Sequence, residues 1–262
     1  MTHVEIAPEY KNCRFVNEFI KGILVMFENE GVLLYNERNT IKSFVVDDPE
    51  FPFQRLVVKR FGNRNIFQSF SYSFFRDSKA VRAFHNASEL RKRGIKTPQE
   101  FACIEEFRHG LLKSSYVITD FTDGRPIWDF FMASENFDET VAKEFARFAV
   151  ELHEKGILHH DLNSTNVLYH LSEQGNYFSV IDINRMQIKA AGNELTPDEC
   201  FENLTRFTGK MDLFEYVLRY YIHYRGWEEN MIATAIKIKE VHDKQWIRRK
   251  MFFSKLKKMC HV

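Results

Sequence analysis

The stretch Gly156–His170, GILHHDLNSTNVLYH, places two histidines, an aspartate and two asparagines within eight residues, between short apolar runs. His159, Asp161 and Asn166 form the pattern H-x-D-x-x-x-x-N. A carboxylate can orient and deprotonate a hydroxyl that attacks a phosphoryl group, and an amide oxygen can bind Mg²⁺. The spacing therefore indicates a loop that carries out phosphoryl transfer.

Two residues outside this loop would complete such a site. Asp182 ends the second strand of a predicted hairpin, in VIDIN, and Lys59 lies in the β-rich run FQRLVVKRF. Asn166 and Asp182 would hold Mg²⁺ because hard cations prefer oxygen ligands, and Lys59 would neutralise the phosphates of a nucleotide. Taken singly, the lysine could be a solvated strand residue and the loop a turn that bonds its own backbone. Their order along the chain favours a kinase-like site.

A zinc site is the other chemistry that the two histidines suggest. Adjacent residues such as His159 and His160 point to opposite sides of an extended backbone, and no cysteine or third histidine has the spacing of a metal ligand. The cysteines are far apart and form no C-x-x-C pair, so we expect isolated reduced thiols. They are Cys13, Cys103, Cys200 and Cys260.

The elements that must position these residues are strands in the first half of the chain. Short apolar runs over residues 31–61, interrupted by the turn NERNT, predict strands, as do Phe101–Glu106 and Ser115–Phe121. Between them, apolar residues recur at three and four over Ser78–Arg93 and predict a helix that ends at Gly94.

After the segment TDGRP the pattern becomes mainly helical. Asp138 is the predicted N-cap of a helix that Gly156 ends, VLYHL and YFSVIDI form the predicted hairpin, and helices continue from Pro197. We therefore predict an α+β fold with two lobes: a strand-rich lobe over residues 1–121 and a mainly helical lobe over residues 122–262.

Composition places the chain among globular proteins. Its 262 residues are 44% hydrophobic and 28% charged, with a net charge of only +1, so any attraction to nucleic acid or membrane must come from a local patch. No apolar run approaches the roughly 18 residues of a membrane span, and the start lacks the pattern of a signal peptide. We expect a cytoplasmic protein.

Such a patch occurs at Lys237–Met259, which contains nine lysines and arginines but only two acidic residues, and in which the basic residues alternate with apolar ones. A basic helix with aromatic anchors could rest on an anionic membrane surface. Alternatively, its aromatic residues pack on the second lobe and its lysines are solvated. No nucleic-acid-binding motif accompanies the charge, so we expect no nucleic-acid partner.

Several motifs carry a resemblance to known kinases. HHDLNSTN is similar to the H-R-D-L-x-x-x-N loop of protein kinases and to the H-G-D-L-N loop of aminoglycoside-phosphotransferase-like enzymes, and Asp182–Asn184 stands where protein kinases have D-F-G. From about Gly31 to Arg206 the chain more closely resembles the bacterial lipopolysaccharide-core kinase family, of the Kdo kinase type. SKAxRxFxNA with a following GIxTP, and IDxNRM, carry this closer match.

The resemblance implies a two-lobed, protein-kinase-like fold and ATP-dependent phosphorylation of a sugar hydroxyl in the lipid A–core region of lipopolysaccharide. It implies that Asp161 is the catalytic base and that Asn166 and Asp182 hold Mg²⁺. Lys59 would contact the α- and β-phosphates of ATP, and Asn163 would position the acceptor or the loop. Such an enzyme would act on a sugar or lipid-linked sugar, and Lys237–Met259 would give it peripheral contact with the anionic cytoplasmic face of the inner membrane.

Further assignments concern the nucleotide. The resemblance implies that Asp120 and Phe121, within Thr119–Thr122, form a hinge whose backbone bonds adenine. No G-x-G-x-x-G precedes Lys59, and NERNT occupies that place. Arg38 and Asn39, with backbone amides, would cover the phosphates instead.

Other departures from protein kinases leave alternatives open. Glu89 is the only acidic residue of the Ser78–Gly94 helix, and it is not placed to meet Lys59, so we expect no specific ion pair for that lysine. No A-P-E signal follows Asp182, which argues against a peptide substrate. A small-molecule kinase of the aminoglycoside or choline type and a nucleotide-binding pseudokinase are the alternatives.

Overall fold

The computed structural model describes residues 1–62, 72, 76–132, 135–190 and 192–259. The chain divides into two compact units. The first unit comprises Met1–Asp123 together with the short segment Ser179–Arg185, and the second comprises Gly124–Phe178 and Met186–Val262. The first is rich in strands and the second mainly helical, which confirms the predicted α+β class.

A six-stranded antiparallel sheet forms the first unit, in the order β1-β5-β6-β4-β3-β2. Its strands are β1 (Thr2–Ile6), β2 (Val32–Asn36), β3 (Asn39–Val45), β4 (Arg55–Gly62), β5 (Glu100–Arg108) and β6 (Leu111–Asp120). The strands predicted over residues 31–61 and from Phe101 to Phe121 are confirmed, the last two being longer than predicted. The N-terminal strand β1 lies outside the sequence prediction.

Helix α1 (Arg14–Asn29) was also not predicted, and it covers one face of this sheet. Its apolar residues recur with helical spacing at Val16, Phe19, Ile23 and Phe27, all buried. They belong to one cluster with sheet residues such as Phe101, and a short 3-10 turn (Pro8–Tyr10) precedes the helix. Burial of an apolar stripe at this period explains why the segment is helical.

The predicted central helix is confirmed as α2 (Lys79–Lys92). The Ser78 hydroxyl caps it by accepting a hydrogen bond from the Val81 amide. Its small and apolar positions, including Ala83 and Ala87, are buried, which allows close approach to β5 and to the 3-10 turn Ile183–Arg185.

Helices dominate the second unit. They are α3 (Trp128–Phe131), α4 (Glu139–Glu154), α5 (Pro197–Leu204), α6 (Met211–Arg225) and α7 (Met231–Met259). Short strands lie between them: β7 (Arg125–Pro126), β8 (Ile157–Leu158), β9 (Val167–His170), β10 (Tyr177–Val180), whose last two residues belong to the first unit, and β11 (Gln187–Ile188). The Asp138 carboxylate accepts a hydrogen bond from the Val141 amide at 3.0 Å, so the predicted N-cap of α4 is confirmed.

An ion pair fixes the end of α2 to β5. Glu100 is buried, with 1% exposure, and Arg91 donates to both of its carboxylate oxygens, at 2.7 and 3.0 Å. The guanidinium therefore compensates a carboxylate that has little access to water.

We expect Arg91→Ala to lower the free energy of unfolding by about 2 kcal/mol, because it leaves a buried carboxylate without its cation. Urea denaturation followed by circular dichroism would measure this. Arg93→Ala is the matched control, since Arg93 pairs with the half-exposed Glu89 on the same helix and should change stability by no more than about 0.5 kcal/mol. Equal effects of the two substitutions would contradict the explanation.

Candidate active site

Lys59 lies in the middle of β4, opposite Ile41 on one side and Val117 on the other. Its ammonium donates to the Asp182 carboxylate at 2.6 Å. The expectation that Lys59 has no specific ion pair was therefore wrong. The acidic partner does not come from α2, where Glu89 bonds Arg93 instead, but from a segment that lies 123 residues further along the chain.

Asp182 is held in a conformation unusual for a residue other than glycine. Its φ angle is +57°, in the left-handed region that aspartate and asparagine tolerate better than most residues. The same carboxylate oxygen that meets Lys59 also accepts a hydrogen bond from the Asn184 amide at 2.7 Å. The carboxylate is thus oriented by two donors.

Residues of the motifs SKAxRxFxNA and GIxTP form hydrogen bonds to the backbone of the segment around Asp182. The Val180 amide donates to the Lys96 carbonyl at 3.1 Å, and the Thr97 hydroxyl donates to the Val180 carbonyl at 2.8 Å. Asn86, from α2, donates to the Ile183 carbonyl at 2.7 Å. The motifs SKAxRxFxNA and GIxTP therefore supply the hydrogen bonds on either side of Asp182.

The loop of the second unit begins with its two histidines in different environments. His159 is fully buried. His160 is exposed, has a φ of +56°, and lies 3.1 Å from Gln187. The burial of His159 fits a structural role in the loop better than that of a metal ligand.

The remaining polar residues of the loop converge on the backbone of Asp161. Its carbonyl accepts hydrogen bonds from the Asn163 amide at 2.8 Å and from the Asn166 side chain at 2.9 Å. The Asn163 side-chain oxygen accepts from the Thr165 amide at 2.9 Å, a contact that orders the loop. Among the described residues no donor bonds the Asn166 side-chain oxygen, so this oxygen fits a hard cation such as Mg²⁺.

Two neighbours of this loop were missed from the sequence. Arg206 lies 3.6 Å from the Asp161 carboxylate. Asn203, which is 4% exposed, accepts hydrogen bonds from the His159 and His160 amides at 3.2 and 3.0 Å. Neither residue belongs to a motif, and the only available signal was a polar residue at a core position of the stretch CFENLTRF.

Asn203 links the loop to the helical core. Its amide nitrogen donates to His153 Nε2 at 3.1 Å, so His153 Nδ1 carries the proton and donates to the Tyr221 hydroxyl at 2.8 Å. All three side chains are buried. This chain of hydrogen bonds needs a neutral histidine.

The residues assigned to the nucleotide have distinct surroundings. Arg38 is exposed in the turn between β2 and β3, whereas Asn39 begins β3 and is only 9% exposed. The Asp120 carboxylate accepts from the Gln99 amide at 2.7 Å, and burial raises the pKa of Asp120 to about 6.

The backbone N–H groups of the predicted hinge are already bonded. That of Asp120 donates to the Gln99 carbonyl at 3.0 Å, and that of Phe121 to the Arg55 carbonyl at 3.1 Å. Adenine would have to replace these bonds or use other groups of the segment.

Residues 30–221 match the model of the lipopolysaccharide kinase (Kdo/WaaP) family, so the chain belongs to that family. The fold is similar to that of a solved structure described as WaaP in complex with acyl carrier protein, with 16% identity and a TM-score of 0.55. The match covers 95% of this chain and 97% of that one. With the two compact units, it confirms the predicted two-lobed, kinase-like fold.

A second structural match is the complex of Rio2 kinase with ADP, Mg²⁺ and phosphoaspartate from Chaetomium thermophilum, at 13% identity and a TM-score of 0.41. It covers 80% of this chain and 70% of that one. No curated protein sequence matches the chain significantly.

The buried histidine predicts acid sensitivity. Burial, assisted by the charge of Arg225, lowers the pKa of His153 from 6.5 to about 4. The unfolded chain therefore binds a proton at this residue between pH 6.5 and 4 that the folded protein excludes, and stability falls as the pH falls through this window. We expect His153 to contribute a loss of about 3 kcal/mol between pH 7 and pH 4.

Urea unfolding of the wild type and of His153→Gln across this pH range would measure the contribution. Asp120 acts in the opposite sense, because its raised pKa lets the folded protein bind a proton first, and it contributes equally to both proteins. The variant should lose less stability than the wild type on acidification. Parallel pH profiles would refute the assignment.

Proposed function

We propose that this protein is an ATP-dependent phosphotransferase that phosphorylates a sugar hydroxyl of the lipopolysaccharide core. The observation that carries the proposal is that a member of this kinase family keeps all four groups that the reaction needs. Lys59 and Asp182 are paired in the first unit, and the ordered loop of the second unit presents Asp161 and Asn166.

In this mechanism Asp161 orients the acceptor hydroxyl and accepts its proton as the hydroxyl oxygen attacks the γ-phosphorus of ATP, and the bond from that phosphorus to the β–γ bridging oxygen breaks to release ADP. Arg206, at 3.6 Å, holds the Asp161 side chain in place, and the Asn163 turn fixes its backbone. Lys59 neutralises the nucleotide phosphates. Asn166 and Asp182 would hold Mg²⁺, which neutralises charge on the phosphates when bound.

We expect Asp161→Asn to lower phosphate transfer at least about 100-fold, because the amide cannot accept the proton, while nucleotide affinity stays nearly unchanged. Transfer from ATP to purified lipopolysaccharide core, detected by mass spectrometry as an added phosphate, would measure this. Asp198→Asn removes an exposed carboxylate of the same unit and serves as the control with normal activity.

The same assay separates the alternatives. Phosphorylation only of aminoglycosides or amino alcohols would favour a small-molecule kinase. Binding of ATP and Mg²⁺ by the wild type without transfer to any acceptor would favour a pseudokinase. Either result would overturn the proposed acceptor.

The C-terminal helix α7 has two parts. In the first part Ala235 and Lys239 are buried, and Lys239 pairs with Asp243 at 2.7 Å above the Phe214 ring. The next two turns instead expose their apolar side chains. These are Trp246, Ile247, Met251 and Phe252, with exposures of 49–61%.

This exposure favours membrane contact over packing for the second part of α7. Lysines and arginines alternate with these apolar residues along the helix, and the Lys250 ammonium lies 4.9 Å from the Trp246 ring. Among the described residues no helix is apolar enough over a sufficient length to cross a membrane. We therefore propose that α7 lies on the anionic cytoplasmic face of the inner membrane, where lipid-linked acceptor is available.

We expect the double variant Trp246→Ser, Met251→Ser to bind vesicles containing phosphatidylglycerol at least about tenfold more weakly, since each apolar side chain that enters the lipid contributes about 1.5 kcal/mol or more. Co-sedimentation would measure the binding, and the wild type should not sediment with phosphatidylcholine alone. Leu171→Ser, which alters another exposed apolar residue, is the control. Unchanged binding of the double variant would show that these side chains do not enter the membrane.

A further inference from the structure

The first unit contains a pocket of about 370 Å³ whose lining is strongly basic. Five of its eight lining residues are cationic, coming from the β2–β3 turn, from helix α2 and the segment before it, and from the turn after Asp182. They are Arg38, Arg76, Lys79, Arg82 and Arg185.

Four of these cations have little compensation from acidic side chains of the described residues. Among the described residues no carboxylate lies within salt-bridge distance of Arg38, Arg76, Lys79 or Arg82. The negative side chains that influence α2 here include Asp77 and Asp182. The Asp182 carboxylate already accepts from two donors, and the sequence between Gly62 and Arg76 contains no aspartate or glutamate.

The electrostatic cost is visible in two of the side chains. Burial and the neighbouring charges of Arg38, Arg185 and Arg82 lower the pKa of Lys79. Burial and the charge of Arg76 similarly lower the pKa of Arg82, whose buried Nε has no hydrogen-bond partner among the residues that the structure describes. Like charges held together with few counter-charges destabilise one another, and a bound anion would reduce this repulsion.

The β2–β3 turn, which carries Arg38, lies close to the end of β4 at one part of the pocket lining. A Cβ atom on Gly62 would lie 2.8 Å from the Arg38 carbonyl oxygen, so glycine permits the turn to approach the end of β4. Asn184, whose amide also donates to Asp182, is a further polar residue of the lining. Planar guanidinium donors in this number match the oxygens of a phosphate group better than a single carboxylate.

We propose that this pocket binds a phosphate group carried by the acceptor, separate from the phosphates of ATP. Of the cations assigned to the nucleotide phosphates, Arg38 lines this pocket and Lys59 does not, so the other four lining cations are additional to that assignment. The proposal rests on the proposed function and narrows the acceptor to a sugar that already bears phosphate before the transfer.

The first test measures anion binding by the full-length protein, without turnover. Inorganic pyrophosphate is titrated calorimetrically, alone and with a saturating non-hydrolysable ATP analogue and Mg²⁺. We expect binding that the analogue does not displace. The double variant Arg76→Gln, Arg82→Gln should bind at least tenfold more weakly, whereas Lys92→Gln, which removes an exposed charge from the same helix, should bind normally. Thermal unfolding would verify that the variants are folded.

The second test compares phosphate transfer to lipopolysaccharide core before and after phosphatase treatment. The KM for the untreated acceptor should be at least tenfold lower than for the treated one. The double variant should lose this difference while its KM for ATP stays unchanged.

Displacement of pyrophosphate by the ATP analogue would overturn the proposal by assigning the pocket to the nucleotide. Equal KM values for the two acceptors would overturn it, because the pocket would then not recognise phosphate on the acceptor. Failure of the proposed function itself looks different, because the wild type would then transfer phosphate to neither acceptor although calorimetry still detected the pocket.

Discussion

The hydrogen bonds to the Asp182 carboxylate join separate segments of the first unit. It accepts hydrogen bonds from Lys59 in the middle of the sheet and from Asn184 two residues later. A left-handed backbone at Asp182 directs this side chain, and hydrogen bonds from neighbouring segments keep the backbone there. Because the lysine and the carboxylate come from distant parts of the sequence, their pairing joins strand β4 to the segment that contains Asp182.

The loop of the second unit depends on a different kind of constraint. The start of this loop is held by a buried chain of neutral groups that runs from Asn203 through His153 to Tyr221. Such a network is stable only when each donor meets an acceptor, and it therefore permits one orientation of the loop backbone. Rigidity at this position is useful in a phosphotransferase, since positioning accounts for most of the catalysis.

The sequence was most informative where the signal is local. The spacing of Asp161 and Asn166 and the helical period of α2 need only adjacent residues, and the structure has the loop and the helix at these places. The partner of Lys59 could not be predicted, because it depends on how the chain returns to the sheet. Asn203 was missed for the same reason. The tail left two alternatives because burial of its aromatic residues is decided by tertiary packing, which periodicity does not show.

The first unit is discontinuous in sequence, and this has consequences for how the chain acquires its structure. Ser179–Arg185 joins the unit only after 55 intervening residues, 124–178, have been made. During synthesis the sheet can form early, but Lys59 must wait for its partner, and such non-local contacts form slowly. A fragment that ends at Asp123 would contain every strand of the sheet and still lack the carboxylate. The two units can be distinguished in the structure, but they cannot be separated by a single cut in the chain.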